Sequence, residues 1–201
     1  MEHFLGLDIS LTSTGYNVVK DGVTIQEGSI KTSKDEDWVE RIKKIVGTIG
    51  QLLDKFNPPL VLIENYSFGS TFGREVLGEI HGVVMFYLMQ REVTFIKVSP
   101  TQVKLFGCGR GSAPKRPPDK AKSTWAKRWV VETINEKFGK EYILADNDIC
   151  DAFILALLAE MFYKVKHNAI DVKDLPPHQK RVLSELLNPS QKTEKKSRRK
   201  K

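Results

Sequence analysis

The chain is poor in cysteine and histidine and has no long apolar run, and each shortage closes off a class of function. Its 201 residues include only 2 Cys and 4 His. Cys108 and Cys150 stand in unrelated contexts with no CxxC partner, so neither a disulfide framework nor a zinc site is supported. Free thiols in a reducing, intracellular compartment are expected. No stretch reaches the roughly 18 uninterrupted apolar residues of a membrane span. The longest candidate, 149–165, is broken by Asp151 and Glu160. Met1-Glu2-His3-Phe4 lacks the basic region and apolar run that open a secretory signal. What remains is a globular composition, 40% apolar and 28% charged, long enough for one domain with a substantial core.

The net charge of +7 is unevenly spread. The terminal stretch 190–201 carries seven basic residues and one acid, Glu194. The stretch 104–128 carries eight, Lys104, Arg110, Lys115, Arg116, Lys120, Lys122, Lys127 and Arg128, against Asp119 alone. The rest of the chain is left with a net charge of −6. Basic segments on a mildly acidic body suit a polyanion, because neutralising phosphates releases counterions and drives binding without sequence preference.

Apolar periodicity gives the order of elements. Strands are expected at 4–10, 15–20 and 24–30, the last two joined through the hairpin pair Asp21-Gly22. Trp38, Ile42, Ile45, Val46, Ile49, Leu52, Leu53 and Phe56 then follow helical spacing until Asn57-Pro58-Pro59. A central strand at 60–64, a helix at 74–90 and a strand at 93–98 follow. Next comes a glycine- and proline-rich stretch, 107–118, then helices at 119–138 and 147–164 and a short one after Pro176-Pro177. This order predicts an α/β fold with a five-stranded mixed sheet flanked by helices. The expected divisions are a main domain over 1–165, a helical extension over 166–189 and a disordered basic tail over 190–201.

Four acids stand where acids are costly. Asp8 ends the apolar Phe4-Leu5-Gly6-Leu7, and Glu64 ends Leu60-Val61-Leu62-Ile63. Asp148 and Asp151, three apart, share one face of a helix that continues into an apolar run. Each alone has an ordinary explanation, such as a helix N-terminal acid or an ion-pair partner. Together they suggest a cation, since converging buried carboxylates otherwise meet both desolvation and repulsion. Oxygen-only ligands favour Mg²⁺ or Mn²⁺, and a pair of such ions suits phosphodiester hydrolysis.

Gly6-Leu7-Asp8-Ile9-Ser10, Thr14-Gly15-Tyr16, Leu62-Ile63-Glu64, the run Ser99 to Lys104, the glycine turn 107–111 and Asp148-Ile149-Cys150-Asp151-Ala152 resemble, in order, the motifs of the RuvC-type Holliday-junction resolvases of the RNase H-like superfamily. The resemblance runs from about Phe4 to Glu160. It implies an RNase H-like fold and two Mg²⁺ ions held by Asp8, Glu64, Asp148 and Asp151, with Mn²⁺ as a substitute. It also implies a homodimer that nicks opposed strands of a four-way junction, leaving 5′-phosphate and 3′-hydroxyl ends. A catalytic lysine is implied at Lys122, with Lys120 its near rival, and a junction-probing aromatic at Tyr66 or Phe68. Lys104, Arg110, Lys115, Arg116, Lys120, Lys127 and Arg128 are expected on DNA phosphates.

The segment 114–119 looks inserted and the tail is unusual, which suits a phage- or virus-encoded member acting in the cytoplasm of a bacterial or infected cell. Asp146 competes with Asp148 as a ligand. Forks and flaps join four-way junctions as expected substrates. Two other readings stand beside this one: a cleavage-dead nuclease fold that binds DNA, and an RNase H-like nuclease acting on RNA or RNA–DNA hybrids.

Overall fold

The computed structural model describes residues 2–65, 74–121 and 124–189. Five strands form one mixed sheet: β1 (Phe4–Asp8), β2 (Ser13–Lys20), β3 (Val23–Lys31), β4 (Val61–Glu64) and β5 (Phe95–Val98), in the order β3-β2-β1-β4-β5. The first three pair antiparallel, while β4 runs parallel to both β1 and β5. Asp21 and Gly22, both at positive φ, make the tight β2–β3 turn that their types favour.

Helices cover both faces. On one lie α1 (Trp38–Phe56) and α2 (Arg74–Gln90), packing Ile45, Ile49, Leu52, Ile80, Val84 and Leu88 against Leu5, Leu7, Val61 and Ile63. On the other lie α3 (Pro100–Cys108), α4 (Trp125–Phe138), α5 (Asn147–Lys166) and α6 (Pro177–Leu187), around Phe153, Ile154, Leu155, Leu158 and Ile134. The strands alternate accordingly. Leu5 and Leu7 face α1 and α2, which leaves Phe4, Gly6 and Asp8 to face α5. Val61 and Ile63 likewise send Leu62 and Glu64 to the α5 side.

No lateral room separates α5 from the sheet. A Cβ on Gly6 would lie 2.1 Å from the Ala152 carbonyl oxygen and 2.5 Å from the Ala156 nitrogen. Farther along α5, Glu160 accepts the Gly22 N–H at 2.9 Å, tying the helix to the β2–β3 hairpin. α6 docks through buried Val182 and Leu183, and Gln102 Nε2 of α3 donates to Glu185 at 3.1 Å.

Two sequence expectations need correction. A helix, α3, occupies 100–108, where none was expected. Its signature is present in the sequence: Ser99 caps Gln102, Gln102 reaches back to Ser99, and Pro100 opens the helix. α4 begins at Trp125 rather than near 119, because Lys120 N–H bonds to the Pro117 carbonyl at 3.2 Å in a turn of its own. Cys108 and Cys150 are free and buried. No helix among the described residues is long and apolar enough to cross a membrane.

Candidate active site

The four acids come from three elements, and the local fold explains how they meet. The β1–β4 register pairs Leu5 with Val61, Gly6 with Leu62 and Leu7 with Ile63. One step on, Asp8 and Glu64 stand at the same level of adjacent strands, on the face that α5 covers. The first turns of α5 carry Asp148 and Asp151. Their approach is set by Gly15, whose missing side chain leaves space for the Asp148 carbonyl oxygen, 2.1 Å from where a Cβ would be. All four side chains are partly buried.

Their mutual influence is electrostatic. Burial pushes Asp8 well above the usual carboxylate range, and Glu64, Asp151 and Asp148 push in the same direction. Glu64 rises to about 8, from burial and then from Asp151. Asp151 rises to about 6, chiefly from burial. Lys104 on α3 opposes the rise at Glu64 and Asp151, and Lys127 on α4 opposes it at Asp8 and Asp151. Two of the lysines expected on DNA thus act on the acidic cluster itself.

The donor set suits a hard divalent cation. It consists of carboxylate oxygens, with Asp151 Oδ1 buried and lacking any hydrogen-bond partner. Among the described residues, however, no three His, Cys, Asp or Glu side chains close into a ready-made cage.

The other expected residues sort themselves by position. Asp146 Oδ2 accepts the Ile143 N–H at 3.0 Å, so this carboxylate braces the turn before α5. Arg110 and Lys115 are exposed. Lys120 pairs with Asp119 at 3.4 Å, and Arg128 lies 3.9 Å from Glu132 on its own helix. Arg116 bonds to backbone carbonyls of its own loop. Tyr66, Phe68, Lys122 and the tail 190–201 lie outside the described residues. Sequence reasoning missed Asn147. Its Oδ1 accepts from Lys127 Nζ at 3.3 Å and its Nδ2 donates to Asp148 Oδ1, joining a basic helix to an acidic one. Only its place beside Asp148 could have drawn attention to it.

Comparison with known proteins identifies the family and the fold. The family model described as crossover junction endodeoxyribonuclease RuvC matches residues 4–120. Proteins of that description include one from Natranaerobius thermophilus, 24% identical over 167 residues, 81% of this chain and 96% of the relative. Another, from Prochlorococcus marinus strain MIT 9211, is 30% identical over 115 residues, 55% of this chain and 73% of the relative. Among solved structures, Thermus thermophilus RuvC superposes with a TM-score of 0.63 at 22% identity, covering 82% of this chain and 96% of that one. The same protein bound to a Holliday junction substrate gives 0.60 at 19% identity, with the same coverage. At these identities the solved structures establish a shared fold.

Proposed function

Because the chain belongs to the RuvC family of crossover junction endodeoxyribonucleases, we propose that it cuts four-way DNA junctions, and branched DNA such as forks and flaps, by paired nicks. The ends are a 5′-phosphate and a 3′-hydroxyl. The observation that carries this reading is the gathering of Asp8, Glu64, Asp148 and Asp151 at one end of the sheet, with an unpartnered Asp151 oxygen among them.

These four side chains would hold two Mg²⁺ ions, with Mn²⁺ as a substitute. When bound, such ions supply activation of water and stabilisation of the leaving 3′-oxygen. Lys104 and Lys127 temper the negative potential that would otherwise repel a phosphodiester. Arg110, Lys115, Lys120 and the tail supply phosphate contacts, which position DNA without reading its sequence. Lys122 is the proposed charge-stabilising lysine, and Tyr66 or Phe68 the aromatic that stacks at the branch point.

Paired nicks require two sites, hence two copies of the chain. The outward face of α2 supports a homodimer: Val76, Phe86 and Met89 are exposed by 36%, 59% and 63%, and a Cβ on Gly82 would touch nothing. Ile80, Val84 and Leu88 belong to the protomer's own core.

The test is Asp8→Asn assayed on a four-way junction, a linear duplex and an RNA–DNA hybrid. Junction binding should persist while Mg²⁺-dependent nicking falls by about three orders of magnitude, the scale of several kcal/mol of lost charge stabilisation. Wild-type-level nicking by the variant would end the role of Asp8. Preference for the hybrid would move the chain to RNA processing, and binding without any nicking by the native protein would make it a recognition module.

A further inference from the structure

Three prolines, Pro114, Pro117 and Pro118, interrupt the connection between α3 and α4. Proline lacks an N–H, so such a run leaves carbonyl groups that no helical ladder consumes. The structure answers them with side chains. Arg116 Nη1 donates to the carbonyls of Pro117 at 3.1 Å and Pro118 at 3.3 Å, and also to that of Lys120. The indole of Trp125, the first residue of α4, donates to the Pro114 carbonyl at 3.0 Å. All three bonds come from Nη1, whose two N–H groups the carbonyls share; the rigid guanidinium plane holds that nitrogen in place at less entropic cost than an ammonium on a flexible stem. The clamp thus closes the turn from both ends and fixes where α4 begins.

What begins there matters to the acidic site. Lys127 lies in the first turn of α4, and its ammonium bonds to Asn147, which in turn donates to Asp148. A displaced α4 start would carry Lys127 with it and leave Asn147 free to swing away from Asp148.

We propose that Arg116 is a positioning residue: it folds the 114–120 turn onto itself, sets the start of α4 and so holds Lys127 against Asn147 and Asp148, instead of gripping a DNA phosphate. This inference rests on the nuclease reading above and assigns one of its basic residues a different task.

The experiment compares Arg116→Ala and Arg116→Lys with the native full-length protein, using Lys115→Ala as a phosphate-contact control. Three quantities are read: junction affinity across a salt series, single-turnover nicking at saturating enzyme, and tryptic cleavage after Lys120 in the free protein. Both Arg116 variants should keep the native salt slope, lose between about ten- and a hundredfold in saturated nicking rate through misplacement of the site, and be cut faster after Lys120. Lys115→Ala should instead flatten the slope by about 0.9, the contribution of one phosphate. The proposal is overturned if Arg116→Ala flattens the slope by that amount while Arg116→Lys behaves as native, since charge alone would then suffice. It is equally overturned if neither variant differs from native in any readout. Should the native protein neither bind nor nick a junction, the nuclease reading falls, and the tryptic comparison still decides whether Arg116 holds the turn.

Discussion

Gly15 of β2 lies directly beneath Asp148 of α5: a Cβ at position 15 would stand 2.1 Å from the Asp148 carbonyl oxygen and 2.9 Å from the Ile149 nitrogen. Gly6 is pressed in the same way against Ala152 and Ala156. Two bare backbones, on neighbouring strands, therefore set the height at which the helix crosses the sheet and place its acids over Asp8.

Gly15→Ala should lift the first turn of α5. Overpacking of this kind costs about 1–3 kcal/mol, readable as a lower melting temperature, together with loss of nicking. Gly47→Ala is the contrast: exposed on α1 with nothing within 4 Å of its Cβ, it should stabilise by up to about 1 kcal/mol and leave activity intact. Equal effects of the two substitutions would contradict the close approach.

The raised carboxylates predict a pH-dependent stability in the absence of divalent cations. Glu64 moves from the ordinary 4.5 to about 8, so between those values the folded chain retains a proton that the unfolded chain has released. The stabilisation is complete below pH 4.5 and is lost as pH rises through 8. Asp151, at about 6, adds in the same sense at lower pH. Melting curves with chelator should show this decline, Glu64→Gln should flatten it, and Mg²⁺ should restore stability at pH 8. A melting temperature rising with pH over this window would refute the electrostatic account.

Phe86→Glu should disrupt the proposed homodimer. Phe86 is 59% exposed and its neighbour on the same outer stripe, Met89, 63%, so a charge there leaves the protomer core untouched. Sedimentation should report a monomer of unchanged melting temperature. On a junction, coincident nicks should give way to single ones. A variant that remains dimeric would place the interface elsewhere.

Deleting residues 190–201 removes a net charge of +6. Junction affinity should fall at low salt, and its salt dependence should flatten by about 0.9 for each phosphate the tail contacts. The nicking rate at saturating enzyme should be unchanged, because the acids all lie elsewhere. An unaltered slope would detach the tail from DNA.

Much of this arrangement was legible in the sequence, for identifiable reasons. α1 and α2 were expected at 38–56 and 74–90 and occur there, because an apolar stripe and terminal breakers act locally. The four acids stood out because each interrupts or ends an apolar run. α3 was overlooked although its capping box is explicit, since a nine-residue helix has little periodicity to display. The early start expected for α4 failed because periodicity cannot register the turn in which Lys120 N–H bonds to the Pro117 carbonyl. Lys104 and Lys127 were read as phosphate contacts within a basic segment. Whether a cation meets a phosphate or a carboxylate depends on the tertiary path, and Lys104 and Lys127 lie beside carboxylates.

Twelve residues separate Asp148 from Glu160, about 18 Å along the axis at 1.5 Å per residue. Near one end α5 rests on Gly15 and at the other it grips the amide of Gly22, so both fastenings belong to a single meander of strand and hairpin. The helix behaves as a beam bolted twice to the same girder. A hairpin that frays on heating slackens the far bolt, and the tilt is felt where the acids stand. Heat should therefore silence the acidic site before it unfolds the chain, starting from a surface turn remote from the acids.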